Sequence, residues 1–298
     1  MESSGFMVDL SYKKVYGWGV EELRQAQVAE AELDARLLLE YVCGTDRNTL
    51  LAHGEREVTE TENASYVNLI SERKKRIPLQ YLTGVQEFMG LEFYVNRNVL
   101  IPRQDTEILV EEVMRHLHDG MRILDMCTGS GCILLSLLYY SNDCTGLGVD
   151  ISPEALETAV QNAKKLNAGK AAEGKRELHV DFMQSNLFGD LKPEVYDFIV
   201  SNPPYIKSGV IDTLMPEVKD HEPHLALDGR EDGLYFYREI LEQAGNYLTR
   251  GGMLFFEIGH DQGQAVKELM KAAGYAEVEV MQDFAGLDRV VCGIWTQA

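Results

Sequence analysis

No stretch of the 298-residue chain comes near the roughly 18 uninterrupted apolar residues of a transmembrane helix. The opening Met1–Asp9 lacks both a basic region and an apolar run of signal-peptide length, so a cytoplasmic location is expected. Cysteine is scarce: five thiols, an odd number without paired spacing, argue for reduced residues over a disulfide framework. Positive charge is scarce too, with 28 Lys and Arg against 48 Asp and Glu, a formal net charge of −20. That field repels polyphosphate, whereas nucleic-acid binders draw affinity from neutralising phosphates. The basic run Arg73-Lys74-Lys75-Arg76 reads as a solvated helix face. Metal-ligand spacing is absent: in His221-Glu-Pro-His224 the proline prevents presentation at i and i+4 on a helix, and His116 and His118 read as helix-surface residues. No metal site is expected.

A hydrophobic fraction of 45% is ample for a core, and the length suggests two domains. Residues 11–82 carry helical periodicity and no convincing strand. The apolar stripe of Val28–Val42 stops at Cys43-Gly44, and a second helix is predicted over Glu60–Lys75, before Pro78. Glu87 to Asn96 reads as a hairpin turning at Met89-Gly90. After Gly120, strands and helices alternate, the pattern of a parallel sheet. Strands are predicted at 121–126, 145–150, 177–182, 196–201, 253–258, 276–282 and 289–295. Asn167–Arg176 reads as a solvated loop. The predicted fold is α/β: a doubly wound, mostly parallel seven-stranded sheet, Rossmann-like, preceded by a small all-helical domain. The expected boundaries are 1–83 for the helical bundle, 84–104 for a β-hairpin linker and 105–298 for the α/β domain.

Two segments carry chemistry. Ile123-Leu-Asp-Met-Cys-Thr-Gly-Ser-Gly131 is a buried strand entering a glycine turn and then a helix. A dinucleotide fingerprint needs a third glycine where Leu134 stands, and Asp125 would repel a pyrophosphate. An acid there suits a cationic or amino ligand, which points to S-adenosylmethionine, a nucleoside with a sulfonium, an ammonium and no phosphate. Asp150, about 20 residues on, is placed to accept from both ribose hydroxyls. Asn186 is a candidate for the adenine edge. Leu187 and Phe188 either pack on the adenine face or belong to the core.

The second segment is Asn202-Pro-Pro-Tyr205, at the end of a β-rich run. Its prolines make a stiff, extended turn at the carboxyl edge of the sheet, where ligands bind in such folds. The Asn202 amide oxygen and a backbone carbonyl, that of Pro203, can accept the two hydrogens of a flat NH2 group. Tyr205 offers an aromatic face to pack on it.

With Ile101-Pro-Arg-Gln-Asp-Thr-Glu107, Glu222-Pro223, Ala226-Leu227, Asp232-Gly233-Leu234, Phe236-Tyr237-Arg238, Glu257-Ile-Gly259 and Ala285-Gly-Leu-Asp-Arg289, these motifs resemble the release factor glutamine methyltransferase family, over residues 28–295. The resemblance implies contacts with S-adenosylmethionine, released as S-adenosylhomocysteine, from Cys127, Thr128, Gly129, Ser130, Gly131, Asp150, Leu187 and Asn202. It implies that Asn202, Pro203, Pro204 and Tyr205 grip a glutamine of a class I peptide chain release factor, docked by the helical bundle. A monomer is expected. The sequence departs from the family at Asn186, where Asp is common, and at Gly229-Arg230, where Gly-Gly is usual. Cys127 replaces a loop glycine and reads as a small, unreactive residue. Three rivals remain: glutamine methylation of another protein such as a ribosomal protein, an adenine or other nucleic-acid methyltransferase, and a non-catalytic nucleotide-binding scaffold.

Overall fold

The amphipathic stripes of the amino-terminal segment bury against one another. The computed structural model describes residues 10–297; the opening residues, read above for a signal sequence, lie outside them. In the first unit, α1 (Tyr12–Gln25), α2 (Ala31–Cys43), α3 (Arg47–Ala52), α4 (Glu60–Lys74) and α5 (Leu79–Thr83) enclose Val15, Leu23, Leu38, Leu39, Tyr66 and Ile70. The stop read at Cys43-Gly44 is there, with Gly44 left-handed at φ 56°. Thr59 and Glu62 form a reciprocal capping box at the start of α4.

One further piece of this unit comes from far along the chain. Residues Pro216–His221 are built into it. There Glu217 takes Arg76 in two parallel hydrogen bonds of 2.7 and 2.6 Å, and Arg73 at 2.8 Å. Arg73 also bonds Asp34 at 2.7 Å. Burial opposes charge on Glu217, but the two guanidiniums prevail and hold its carboxyl down at about 2. Removing one member of a buried ionic network strands its partners. Glu217→Ala is therefore expected to cost about 3 kcal/mol of unfolding free energy, read by urea denaturation. A loss within experimental error would show that water replaces the carboxylate.

The second unit begins with the hairpin, β1 (Val85–Phe88) and β2 (Leu91–Tyr94). Phe88 pairs Leu91 across Met89-Gly90, both at positive φ as a two-residue primed turn demands. Phe88 and Phe93 enter the main core, and Asn162 holds both backbone groups of Tyr94. The hairpin is thus part of this unit's packing.

There follow α6 (Gln104–His116), β3 (Arg122–Met126), α7 (Cys132–Tyr140), β4 (Thr145–Asp150), α8 (Pro153–Ala172), β5 (His179–Gln184) and β6 (Tyr196–Ser201). Three short helices come next, α9 (Ser208–Ile211), α10 (Pro216–Lys219, the segment lent to the first unit) and α11 (His224–Leu227). The chain closes with α12 (Tyr235–Ala244), β7 (Leu248–Glu257), α13 (Gly263–Ala272), β8 (Tyr275–Gln282) and β9 (Asp288–Trp295). The sheet order is β5-β4-β3-β6-β7-β9-β8, and β9 alone runs antiparallel to its neighbours. This is the doubly wound seven-stranded sheet expected. β3 lies beside β4 on one side and β6 on the other, so the winding reverses there and a crevice opens at the carboxyl ends.

The reading of Asn167–Arg176 as a loop is corrected in part, because α8 continues to Ala172. Alanines favour the helix. Lys170 lays its ammonium over the Tyr139 ring, 4.7 Å from the centroid, and reaches the Tyr139 carbonyl at 3.3 Å.

Candidate functional site

Where the winding reverses, the Cys127–Gly131 loop leaves β3. Cys127, Gly129 and Gly131 are all left-handed, at φ 62°, 55° and 78°, so the chain folds tightly over the strand ends. Thr128 N–H donates to Val149 O and Gly131 N–H to Thr128 O. Asn162 Nδ2 donates to Ser130 O at 2.9 Å from the far side. A Cβ on Gly129 would stand in open space: the backbone here faces a cavity of about 290 Å³. Burial pushes the Cys127 thiol up, with Asp150 and Asp125 adding to the effect, so this sulfur is no nucleophile.

Cys127, Thr128, Gly129, Ser130, Asp150, Asn186, Leu187, Asn202 and Pro204 all line that cavity. Asp150 closes β4 over it, with Oδ2 accepting from Gly129 N–H at 2.9 Å and Oδ1 from Ser152 N–H at 3.0 Å. Each oxygen keeps one acceptor direction, a match for two neighbouring hydroxyls. Phe188 stacks on Tyr247 at 4.7 Å in the core, and Leu187 alone of that pair reaches the cavity.

The cations lining the cavity are Arg103 and Arg230. Both are spoken for: Arg103 bonds Glu222 at 2.6 Å, and Arg230 lies 3.5 Å from Asp228. A pyrophosphate would find no uncommitted charge, so this donor set fits a phosphate-free nucleoside such as S-adenosylmethionine.

Some expected residues sit elsewhere. Asp125 does not line the cavity. It lies fully buried under the loop, accepts from the Thr128 hydroxyl at 2.5 Å, and leaves Oδ1 without a partner. Burial, with the Asp150 charge adding, raises its carboxyl to about 7 against the Thr128 and Leu134 hydrogen bonds. Asp125 organises the loop from below. Gly131 packs toward Leu135 and Ala159, where a Cβ would come within 3.1 Å.

Asn202 follows directly on β6, whose last residue, Ser201, is tied to Met126 O at 2.6 Å. The Asn202 Nδ2 donates to Thr106 Oγ1 at 3.4 Å. Pro203 is buried and lies outside the cavity wall. Tyr205 is also set back from the wall. Its hydroxyl donates to Glu257 Oε1 at 3.3 Å, and its carbonyl accepts from Gln262 Nε2 at 3.0 Å. A buried carboxylate draws in donors, which turns this phenol inward from the ligand face predicted for it.

Sequence reasoning gave no role to Thr106, Glu257, Gln262 or the Arg103–Glu222 pair. The Gly229-Arg230 departure acquires one. A Cβ on Gly229 would come within 2.7 Å of Tyr205 Cα, so only glycine fits. Arg230 itself is left-handed at φ 70°, which explains why glycine is usual there. This chain accepts that strain and gains a guanidinium on the cavity wall.

Glu257, like Asp125, is fully buried and raised to about 7, by burial first and by Asp105, against Thr106, Tyr205 and Arg289. In the native state both acids hold protons at a pH where the unfolded chain has released them. Stability from these groups is present at low pH and lost as pH rises through about 4 to 7. The thermal midpoint of the ligand-free protein is therefore expected to fall between about pH 5 and pH 8. Glu257→Gln should flatten that slope; a slope unchanged by the substitution would assign it to other groups.

The reversal of winding, the glycine loop and the acid at the end of β4 define a class I methyltransferase. The PrmC N-terminal domain matches residues 14–84 and the methyltransferase small domain matches residues 103–230. The release factor glutamine methyltransferase of Clostridium acetobutylicum is 41% identical over 269 residues, spanning 88% of this chain and 90% of that one. Its namesake in Moorella thermoacetica is 42% identical over 283 residues, 94% and 97% of the two chains. The chain belongs to the release factor glutamine methyltransferase family. A solved methyltransferase from Pyrococcus furiosus, 17% identical with a TM-score of 0.50, covers 70% of this chain and 91% of its own; it shares the fold. Among the described residues no helix is long and apolar enough to cross a membrane.

Proposed function

We propose that this protein methylates the side-chain amide nitrogen of a glutamine in a class I peptide chain release factor, using S-adenosylmethionine. The observation that carries the reading is Asn202 on the cavity wall with its amide nitrogen bonded to Thr106, which leaves its oxygen available to a substrate amide. When bound, S-adenosylmethionine supplies an activated methyl group and leaves as S-adenosylhomocysteine. Asp150, Asn186, Leu187 and the Cys127–Gly131 loop hold the nucleoside.

An amide nitrogen is a poor nucleophile because its lone pair is delocalised into the carbonyl. Asn202 Oδ1 accepts one of its N–H bonds as the nitrogen pyramidalises and charge develops. Acceptors fixed in advance stabilise that charge selectively in the transition state. Holding the nitrogen in line with the methyl adds on the order of 7–11 kcal/mol. The proton leaves after transfer, and no strong base is required. The helical bundle docks the protein substrate.

Mass spectrometry of a purified class I release factor after incubation with isotope-labelled cofactor tests this. One labelled methyl group on a glutamine is expected. A methyl group on any other residue, or none, refutes the assignment.

A further inference from the structure

Behind the Asn202–Tyr205 turn, one buried side chain makes four hydrogen bonds. Gln262, the residue that caps the start of α13, is 5% exposed and lies off the cavity wall. Its Oε1 accepts from Gly259 N–H at 2.9 Å and from the Tyr237 hydroxyl at 3.3 Å. Its Nε2 donates to Tyr205 O at 3.0 Å and to Gly233 O at 3.2 Å. A primary amide has two donor hydrogens and an oxygen with two lone pairs, and all four are engaged. Backbone groups fix which end is which, because an N–H only donates and a carbonyl only accepts.

The two carbonyls belong to different walls of the cavity. Tyr205 O ends the turn that carries Asn202 and Pro204. Gly233 O belongs to the loop that carries Arg230 and leads to Tyr235 and Phe236, and these five residues all line the cavity. Pro203 and Pro204 have no N–H to give, so carbonyls take a larger share in anchoring the turn. The two segments meet backbone to backbone. A Cβ on Gly229 would stand 2.7 Å from Tyr205 Cα, and one on Gly233 would stand 2.5 Å from Tyr205 O. Carbonyls that converge on one point repel unless donors stand between them, and the Gln262 NH2 gives one hydrogen to each.

We propose that Gln262 is a positioning residue whose amide clamps the Asn202–Tyr205 turn to the Gly229–Gly233 loop and so fixes where Asn202 stands in the cavity wall. The inference rests on the reading of Asn202 as an acceptor for the substrate amide. The nucleoside half does not depend on the clamp, because the Cys127–Gly131 loop, Asp150 and Asn186 follow or end other strands, β3, β4 and β5. Loss of the clamp therefore falls on methyl transfer and spares nucleoside binding. A displacement of about 1 Å at the reacting groups can cost about 100-fold in rate.

The test uses the full-length protein and two readouts. The first is single-turnover methyl transfer to a release factor at saturating cofactor and substrate, with each rate referred to the sites that bind S-adenosylhomocysteine in calorimetry. Q262E keeps the shape and the Oε1 contacts but turns an oxygen on both carbonyls; Q262M removes all four bonds at similar volume. Both should slow transfer about 10- to 100-fold, the range for partners that orient a reacting group. Both should leave the affinity for S-adenosylhomocysteine unchanged. Y237F is the control. It deletes a donor to Oε1 and leaves both carbonyl bonds, so it should lower the thermal midpoint without slowing transfer. The second readout is a crystal structure of Q262M, in which Tyr205 O and Asn202 are expected to move from their wild-type places. A wild-type rate per binding site in Q262M, Y237F as slow as Q262M, or an unmoved turn overturns the proposal. If the wild type methylates no release-factor glutamine yet the turn moves in Q262M, the functional reading fails and the clamp stands.

Discussion

Asn202→Ala is expected to lower the single-turnover rate of methyl transfer by about 100-fold or more, with a smaller loss of cofactor affinity. The asymmetry follows from what the side chain does at each stage. In the ground state its oxygen makes one neutral hydrogen bond to an amide N–H, worth about 1 kcal/mol net. As the nitrogen pyramidalises, the same oxygen faces a positively charged donor in a site shielded from water, where an acceptor fixed in advance is worth several-fold more. Alanine removes the acceptor and leaves Thr106 without the contact from Nδ2. Water admitted to the gap can solvate the nitrogen but is not oriented, so it restores little. The loss should therefore fall on kcat, with KM for the release factor nearly unchanged. A rate within a few-fold of wild type at saturating substrate would show that alignment suffices, and would remove Asn202 from the chemistry.

How much of this site could be read from sequence depends on how far apart its parts lie along the chain. The Cys127–Gly131 loop, Asp150 and Asn202 each sit at the end of a strand whose apolar run is visible by itself, and a strand end in this fold is where ligands go. The contacts behind Asn202 and Tyr205 have no such local trace. Thr106 lies 96 residues from Asn202, and Glu257 lies 52 residues beyond Tyr205. A threonine in the first turn of α6 and an acid ending β7 look ordinary until the sheet brings them together. Tyr205 misled because an aromatic next to a binding motif reads as a ligand surface, whereas a buried carboxylate claims its hydroxyl. The overrun of α8 past Asn167 has a similar cause: Lys170 finds a ring to cover on α7, a contact invisible to helical periodicity. Equally unreadable was the transfer of Pro216–His221 to the helical unit, since Glu217 meets Arg73 and Arg76 more than 140 residues away.

Asp150 offers the sharpest test of the nucleoside half, through a substitution that is nearly isosteric. Both carboxylate oxygens are occupied on one side by backbone donors, Gly129 N–H at 2.9 Å and Ser152 N–H at 3.0 Å. What remains is one acceptor on each oxygen, and two ribose hydroxyls would use both. Hydrogen bonds to a charged acceptor contribute about 1.5–3 kcal/mol each. Asp150→Ala is therefore expected to weaken S-adenosylhomocysteine binding by about 100-fold in calorimetry. Asp150→Asn should do no better, although its shape is almost the same. Whichever way the amide turns, its NH2 faces a backbone N–H, and it offers a hydroxyl a donor where an acceptor stood. Burial raises the Asp150 carboxyl while the Ser152 and Gly129 N–H groups act to lower it, and an amide cannot accept from both. With cofactor raised to saturation, the chemical step of both variants should return close to the wild-type rate, the opposite of the Asn202 pattern. Wild-type affinity in Asp150→Asn would mean that the ligand does not use this carboxylate, and the pocket would have to be assigned to a different molecule.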